Sequence, residues 1–397
     1  MSKRLRIGLL VVVALYGLFS IINYTNSNDP SGVFSLRYKF NKPTDEINLK
    51  THGQTNDLEN PNTPNELPKD ASLRQQLAFQ FPYEPLKPMP KYIWQTWKTD
   101  IDDKTFPPSF KHYVTEWKTS NPQFTHKLLP DAACHELIRT LYQSVPDVIN
   151  AYELMPHSIL KADFFRYLIL FARGGVYSDV DTFGLKGIGN WPSFSSNYEF
   201  FQNHKNIEPK DVGIMIGIEA DPDRPDWADW YARRIQFCQW TIQAKKGHPL
   251  LGNLITKITE ITLDRDENST IKLANGKDEG ADIMNWTGPG IFTDEIFNYL
   301  NNISNHNPKI QIINDNVQEK PPQNGLADSK LDAIENKKKI NWKLFTGMEE
   351  MIAIDDVLIL PITSFSPGVG QMGSKDVGNI MAFVKHMFKG SWKNNKQ

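Results

Sequence analysis

Cysteine is scarce in this sequence: Cys134 and Cys238 are the only two among 397 residues. There is no CxxC pair and no zinc-type spacing, which excludes a cysteine-based zinc site. The two thiols can form a disulfide if the chain folds in an oxidising compartment. Both also lie in segments that resemble helices and suit a hydrophobic core. The sequence leaves both possibilities open.

An excess of charge of one sign is also lacking. The formal net charge is −2, from 44 basic and 46 acidic residues. Proteins that bind nucleic acid present a basic patch or stripe, so we predict no nucleic-acid partner. Aromatic residues, by contrast, reach 11%. That content is typical of a globular body with a large core, in which most of the rings are buried.

The long apolar run occupies residues 7–22 and follows three basic residues. As a helix it would span about 24 Å, somewhat less than the ~30 Å hydrocarbon core of a bilayer. No Lys or Arg follows it until Arg37, so the positive-inside rule places residues 1–6 in the cytoplasm. A cleaved signal peptide is the alternative, but residues 23–26 offer no small-x-small cleavage site. We predict an uncleaved anchor and a single-pass type II membrane protein.

Composition divides the rest of the chain. Residues 23–88 are polar and rich in Asn, Pro, Thr and Asp, which predicts a flexible stem. Segments typical of strands and helices alternate from residue 89 to 397, and they predict an α/β domain. A Lys- and Asn-rich stretch near 302–341 is predicted to be a polar insertion in that domain.

Four segments of the domain carry specific expectations. Residues 92–97 are β-prone and predict the first strand, whereas the apolar run at 212–220 predicts a buried strand. Residues 226–245 lack Gly and Pro and carry aromatics along their length, which predicts a helix. Residues 357–363 are predicted to form the final strand.

Residues 158–183 carry the most specific chemical pattern of the chain. Residues 159–173 contain no Gly or Pro and predict a helix, which Gly174 and Gly175 end. A short strand should follow and bring Asp179 and Asp181 to one side of its end. Neighbouring carboxylates repel each other, and a divalent cation relieves that repulsion. The pair is a candidate Mn²⁺ or Mg²⁺ site, although an Asp-x-Asp alone also suits a solvated turn.

Asp163 and Arg166 lie three residues apart on the predicted helix and therefore share a face. The surrounding segment is apolar, and buried charges are normally paired. The two residues form either a structural ion pair or a contact for sugar hydroxyls and phosphate oxygens.

Together these positions resemble the sugar-binding DXD region of retaining GT-A glycosyltransferases. The matching pattern is Ala162-Asp163-x-x-Arg166 followed by Gly174-Gly175-x-Tyr177-x-Asp179-x-Asp181. Further blocks resemble glycosyltransferase family 32, the fungal family of initiating α-1,6-mannosyltransferases. These blocks are GIEADPDRPDWADWYARRIQFCQWTIQA, DIMNWTGPGIF, LPITSFSP and AFVKHMFKGSW. Within the family they look most similar to the paralogue of a Golgi mannan polymerase complex.

The resemblance covers about residues 88–392 and implies a fold and an activity. The fold would be GT-A: Rossmann-like, with a single mixed sheet flanked by helices, in the Golgi lumen. The donor would be GDP-mannose, the cofactor Mn²⁺, and transfer would retain the anomeric configuration. The acceptor would be an N-glycan or mannan, and other Golgi mannosyltransferase subunits would be partners.

The resemblance also implies roles for individual residues. Asp163 and Arg166 would orient the mannose, while Asp179, Asp181 and His386 would hold the metal. The residues predicted to line the donor pocket are Trp97, Tyr177, Thr287, Gly288, Ser391 and Trp392. Trp97 follows the first strand and would stack on the base, but it equally suits a core position. Residues 286–290 form a glycine-rich turn where backbone can approach a ligand closely.

Two other functions fit the same residues. One is a non-catalytic scaffold subunit of a glycosylation complex, although the intact set of motif residues argues against lost chemistry. The other is a GT-A enzyme that uses UDP-galactose or UDP-glucose, because a DXD motif binds the diphosphate and metal common to all such donors.

Overall fold

The computed structural model describes residues 67–274, 279–307, 310–314 and 339–389. The predicted cytoplasmic tail, anchor and most of the stem fall outside these ranges, as do Ser391, Trp392 and most of the predicted insertion. Within the described ranges, no helix is both long enough and apolar enough to cross a membrane.

Helices and strands alternate along the described part of the chain. The helices are α1 (Leu73–Gln80), α2 (Pro108–Thr119), α3 (Asp131–Leu141), α4 (Pro146–Leu154), α5 (Ser158–Arg173), α6 (Glu199–Asn203), α7 (Pro249–Glu267), α8 (Glu279–Trp286) and α9 (Pro289–His306). The strands are β1 (Tyr92–Trp97), β2 (Thr125–Pro130), β3 (Gly175–Ser178), β4 (Thr182–Gly184), β5 (Ile214–Ala220), β6 (Gln236–Ala244), β7 (Ile312–Asn314), β8 (Ile352–Ile354), β9 (Val357–Leu360) and β10 (Val384–His386).

The main sheet of the described chain has eight strands in the order β2-β1-β3-β6-β5-β9-β8-β7. Strands β2, β1 and β3 are parallel, and β6 pairs antiparallel with both β3 and β5. Strands β3 and β5 therefore run in the same direction and end at the same edge of the sheet. The predicted single mixed sheet flanked by helices is confirmed.

Two hydrophobic clusters cover the two faces of this sheet. Because side chains alternate along a strand, Val176 joins one cluster and Tyr177 the other. Helix α5 buries most of its side chains in the larger cluster, including Phe164 and Phe171. Each such ring contributes about 1.5–3 kcal/mol relative to exposure, so α5 is fixed firmly beneath the sheet. Cys134 and Cys238 are buried free thiols.

Two glycines join α5 to β3, as the sequence predicts. Gly174 and Gly175 have φ values of 66° and 103°, which are unfavourable for residues with a Cβ. A Cβ on Gly175 would also lie 2.6 Å from the carbonyl oxygen of Tyr92, on the neighbouring β1. The glycine pair thus lets β3 leave α5 at once and pair closely with β1.

One helix prediction is wrong. Residues 226–245 form a short 3-10 turn, Trp227–Asp229, and then the strand β6. Every residue of β6 is buried, because the strand lies inside the sheet between β3 and β5. A strand that is buried on both faces loses the alternation of polar and apolar residues that identifies most strands. The apolar run at 212–220, by contrast, contains β5 as predicted.

Two predicted ranges overlap helices of the described chain. The range predicted as the stem, 23–88, includes α1 near its end, which begins at Leu73 with Ser72 as its N-cap and buries Leu77 against the body. Residues 302–306 belong to α9 rather than to the polar insertion. The strand β9 is not the last, because β10 follows it and pairs antiparallel with β4.

Candidate active site

The site forms where β3 reaches the edge of the sheet. Asp179 follows the last residue of β3, and its backbone N–H donates to the carbonyl of Trp240 on β6, at 2.9 Å. A turn then leads to Asp181, one residue before β4. The strand pairing of β4 with β10 places His386 opposite Thr182. Residues that are about 205 apart in sequence therefore meet at this edge.

Arg166 connects α5 to the end of β3. Its Nη2 lies 2.9 Å from Asp163 Oδ1 and 3.3 Å from Asp179 Oδ1, and its side chain is only 4% exposed. The guanidinium lies over the ring of Tyr177, 5.2 Å from its centroid. One cation thus serves two carboxylates, and this group of three carries a net negative charge when both carboxylates are ionised. The pairing of Asp163 with Arg166 that the helix spacing predicts is confirmed.

Asp163 is held on several sides. The hydroxyl of Thr287 donates to its Oδ2 at 3.2 Å, and Gln239 Nε2 lies 3.4 Å from its Oδ1. Burial is the main reason that the pKa of Asp163 rises from its ordinary value to about 7. The nearby charge of Asp179 adds to this rise, whereas Arg166 opposes it. The carboxyl group therefore titrates near neutrality.

The pKa values of the two acids of the DXD motif are shifted in opposite directions. Burial, together with repulsion from Asp181, raises the pKa of Asp179, although Arg166 opposes the rise. Burial acts on Asp181 as well, but the hydrogen bond and charge of His386 outweigh it and hold the pKa of Asp181 below its usual value. The backbone N–H of Lys389 also donates to Asp181 Oδ2, at 3.1 Å. Asp181 is therefore ionised across the neutral range.

A divalent cation fits this arrangement. Asp179, Asp181 and His386 each offer one ligand atom, and these atoms lie within 4.8 Å of one another. His386 Nε2 is 3.2 Å from Asp181 Oδ1, and the imidazole stacks on Trp240 at 4.6 Å. Two carboxylates and an imidazole are suitable donors for Mn²⁺. The two predicted carboxylates and the predicted histidine are thus brought together.

The other predicted pocket residues have diverse surroundings. The Tyr177 hydroxyl donates to Asp179 Oδ1 at 2.9 Å, so Tyr177 supports the site from below. Thr287 reaches Asp163, and Gly288 is the N-cap of α9. Both lie in a two-residue junction between α8 and α9 rather than in a longer loop. Trp97 packs edge-on against Phe110, with ring centroids 4.9 Å apart.

Sequence reasoning missed the contribution of β6. Gln239 contacts Asp163, and Trp240 both supports His386 and donates its indole N–H to Glu219 Oε1 at 3.1 Å. Glu219 lies near the end of β5, at the same edge as Asp179, and burial raises its pKa. The prediction of a helix at 226–245 concealed Gln239 and Trp240.

The chain contains the sugar-binding region of a DXD glycosyltransferase. Residues 107–200 match the family model described as "Glycosyltransferase sugar-binding region containing DXD motif". That range includes the cluster on α5 and the two acids after β3. The matched region and the geometry of the acids agree on the class of protein.

Similarity to fungal proteins identifies the family within this class of glycosyltransferases. The chain is 51% identical to the initiation-specific alpha-1,6-mannosyltransferase of Candida albicans, over 99% of this chain and 95% of that protein. It is 42% identical to the Saccharomyces cerevisiae protein of the same name, over 81% and 82% of the two chains. The chain belongs to this family of α-1,6-mannosyltransferases.

A third relative, which is not named for initiation, shows lower identity to this chain. The putative glycosyltransferase HOC1 of Saccharomyces cerevisiae is 34% identical over 82% of this chain and 71% of that protein. The proteins named for initiation are thus more similar to this chain than HOC1 is. The prediction that the chain is most similar to a paralogue of the initiating enzyme is not supported, because proteins named as the initiating enzyme itself reach 51% and 42% identity. Membership of a mannan polymerase complex stays a prediction.

Solved structures add little. The PaToxG glycosyltransferase aligns with 15% identity and a TM-score of 0.34, covering 59% of this chain and 76% of that chain. A TM-score this low carries no argument, and the description of the fold depends on the sheet topology alone.

The raised pKa of Asp163 predicts a pH-dependent cost to stability in the metal-free protein. In the unfolded chain the carboxyl ionises near pH 4, whereas in the folded chain it ionises near pH 7. Between these values the folded state binds the extra proton, so this group lowers stability as pH rises and its cost is complete above about pH 7. Asp163→Asn removes the titration, so its stability relative to the wild type should increase from pH 5 to 7 and then level off.

Chemical denaturation at a series of pH values, with a chelator present, measures this difference. Asp294→Asn is a suitable control, because its carboxylate is 49% exposed and lies outside the cluster. A difference between Asp163→Asn and the wild type that stays constant from pH 5 to 8 would show that Asp163 does not titrate in this range.

Proposed function

We propose that this protein is a retaining GT-A glycosyltransferase that moves mannose from GDP-mannose to an N-glycan acceptor and forms an α-1,6 linkage. The observation that carries the proposal is the cluster of Asp163, Arg166, Asp179, Asp181 and His386 at the sheet edge. It occurs in a chain that is 51% identical to an initiation-specific enzyme over nearly its whole length. The same identity favours the first α-1,6 mannose over the extension of a mannan chain.

The residues of the cluster have two different roles, orientation of the sugar and binding of the metal. Asp163 and Arg166 would orient the mannose, since both are rigidly held and offer a carboxylate and a guanidinium for hydroxyl and phosphate oxygens. Within the described chain, the buried Nε of Arg166 has no hydrogen-bond partner. That unsatisfied donor suits a role toward substrate, because buried donors are costly to leave unpaired.

Asp179, Asp181 and His386 would hold Mn²⁺. When bound, the ion neutralises the negative charge of the departing diphosphate. In the transfer itself, the bond from mannose C1 to the GDP oxygen breaks with its electron pair going to GDP. A new bond forms from C1 to the acceptor 6-oxygen on the face that GDP leaves, and the proton of the 6-hydroxyl passes to the departing diphosphate oxygen.

The cellular setting belongs to the same proposal. The predicted anchor at 7–22 and the basic residues before it support a single-pass type II protein of the Golgi membrane, with the domain in the lumen. Association with other Golgi mannosyltransferase subunits is also part of the prediction. Fluorescence microscopy of the tagged protein and co-purification test the location and the partners.

Product analysis tests the activity. The purified full-length protein is incubated with an N-glycan core oligosaccharide, Mn²⁺, and GDP-mannose, UDP-galactose or UDP-glucose in turn. The expected product carries one added α-1,6-mannose, identified by NMR, and forms only from GDP-mannose. Transfer from a UDP-sugar would overturn the donor assignment, and a ladder of added mannoses would favour elongation over initiation. No transfer from any donor would favour the scaffold alternative.

A further inference from the structure

A cavity of about 260 Å³ lies beside the candidate active site. It is open to solvent on one side and is lined by the carboxyl end of β1, by the first halves of α3 and α5, and by Tyr152 of α4. Residues that matter for its chemistry are Thr96, Asp131, His135, Tyr152, Lys161 and Phe165. The lining combines aromatic walls with a few ionisable groups, a mixture typical of small-molecule sites. The volume is just below the range for drug-sized ligands and suits a planar base with part of a ribose.

The cavity adjoins the candidate active site at two places. Thr96 lines it, and the Thr96 hydroxyl is 3.2 Å from the hydroxyl of Tyr177, which in turn donates to Asp179. Ala162 also lines it and directly precedes Asp163. Ligands of open α/β sheets bind beyond the carboxyl ends of the strands. A nucleotide whose diphosphate lies at Asp179 and Asp181 can therefore extend its base into this cavity.

Asp131 is the acid of this cavity. It follows the last residue of β2 and opens α3, so its position is fixed by both elements. Its side chain is exposed in the free protein, although the surrounding cavity wall still raises its pKa by partial burial, which the charge of Lys98 opposes. A carboxylate in the first turn stabilises a helix whether or not it lines a cavity. The helix alone therefore does not explain why Asp131 lines this one. Asp147, in the first turn of α4, is likewise exposed but does not line this cavity.

We propose that Asp131 selects the donor nucleotide by accepting hydrogen bonds from N1–H and the 2-amino group of guanine, an inference that rests on the proposed function. The two oxygens of a carboxylate match these two adjacent donors, and charge-assisted pairs of this kind are the strong ones. Tyr152 and Phe165, which are 4% and 1% exposed, contribute the apolar part of the lining. Asp131 thus acts as a specificity-determining residue, separate from the groups that hold the diphosphate and the sugar.

Other bases do not satisfy this carboxylate. Adenine presents an acceptor at N1, which an ionised acid repels. Uracil presents a single N–H between two carbonyl oxygens, so at most one bond forms and a carbonyl faces the second oxygen. Asp131 is exposed in the free protein, so discrimination arises only when a bound base covers its carboxylate and leaves an oxygen unpaired, which costs affinity. The cavity therefore favours guanine by chemistry as well as by size.

The test exchanges the hydrogen-bonding pattern of residue 131. Asp131→Asn keeps the size of the side chain but replaces one acceptor by an N–H donor. Xanthine carries a carbonyl where guanine carries its 2-amino group, so it complements the variant rather than the wild type. Calorimetric titration of the full-length protein with Mn²⁺ compares GDP, XDP and UDP. Asp147→Asn is the matched control for the loss of an acid from a helix first turn.

The wild type is expected to bind GDP about 10- to 100-fold more tightly than XDP or UDP. Asp131→Asn should lose about that factor for GDP and gain a comparable factor for XDP, while Asp147→Asn keeps the wild-type preference. A wild type that binds UDP rather than GDP would overturn the donor in the proposed function and this inference with it. A wild type that prefers GDP, with the same GDP-to-XDP ratio in Asp131→Asn, would overturn the role of Asp131 alone.

Discussion

Arg166→Met is expected to lower the free energy of unfolding by about 3–5 kcal/mol in the metal-free protein. Arg166 is 3% exposed and contacts both Asp163 and Asp179. Methionine fills a similar space but leaves two buried carboxylates without a cation. Those carboxylates must then either remain charged in a poorly solvated site or bind protons, and both outcomes oppose folding.

Denaturation in urea with a chelator present measures the loss. Arg173→Met is a matched control, because Arg173 lies on the same helix but is exposed at its last turn. Its removal should cost no more than about 1 kcal/mol, through the loss of a favourable charge near the helix C-terminus. A comparable small loss for Arg166→Met would show that the ion cluster does not stabilise the fold.

A double-mutant cycle identifies the cause. If the loss comes from uncompensated carboxylates, Asp163→Asn should recover part of the stability of Arg166→Met, because it removes one of them. The two changes would then be strongly non-additive, as expected for residues in one network. Additive losses would instead point to lost packing of the guanidinium against Tyr177.

The local sequence predicted α5 and the motif after it well. A run without glycine or proline, two glycines and an alternating strand specify their own backbone, because each depends on neighbours within a few residues. The spacing of Asp163 and Arg166 also places them on one helix face without tertiary information. This is why the ion pair and the approach of the two DXD acids to one edge were predictable.

Strand β6 shows what local information omits. Its residues are buried on both faces, so the alternation that marks a surface strand is absent and the segment resembles an apolar helix. Only its place between β3 and β5 settles its conformation. Gln239 and Trp240 reach the site because β6 pairs with β3 and β5. No local pattern in the sequence predicts their positions.

The position of His386 is likewise tertiary. Its contact with Asp181 depends on the pairing of β10 with β4, across some 200 residues of chain. Chemistry and family resemblance suggested the histidine as a ligand, but the local sequence around it did not. Ser391 and Trp392 lie outside the described residues, so their predicted roles stay predictions.

Asp181→Asn is expected to weaken Mn²⁺ binding by at least about 100-fold. Mutation of a residue that only supports a metal ligand already lowers metal affinity by about 10- to 100-fold, and Asp181 is itself a candidate ligand. The carboxylate is one of three candidate ligands, and an amide oxygen is a weaker donor to a hard cation. Sugar transfer should fall by at least about 100-fold as well, because charge stabilisation at the leaving group is lost. Electron paramagnetic resonance of Mn²⁺ measures binding independently of turnover.

Asparagine is a better test at position 181 than alanine, because Asp181 also binds the C-terminal segment through residues 386–389. Its side chain accepts from the backbone of Lys389 and pairs with His386, and its carbonyl accepts from Met387. Alanine would remove the side-chain contacts along with the ligand. Asparagine keeps an oxygen for the Lys389 N–H, so the thermal stability should change little.

The control for Asp181→Asn is Asp376→Asn, an exposed acid in the same part of the chain. It should leave Mn²⁺ binding and transfer unchanged, which separates loss of a ligand from general loss of negative charge. Normal Mn²⁺ affinity in Asp181→Asn would show that the cation is held elsewhere. Weak Mn²⁺ binding with undiminished transfer would show instead that the cation, though bound at this edge of the sheet, is not needed for the departure of the nucleotide.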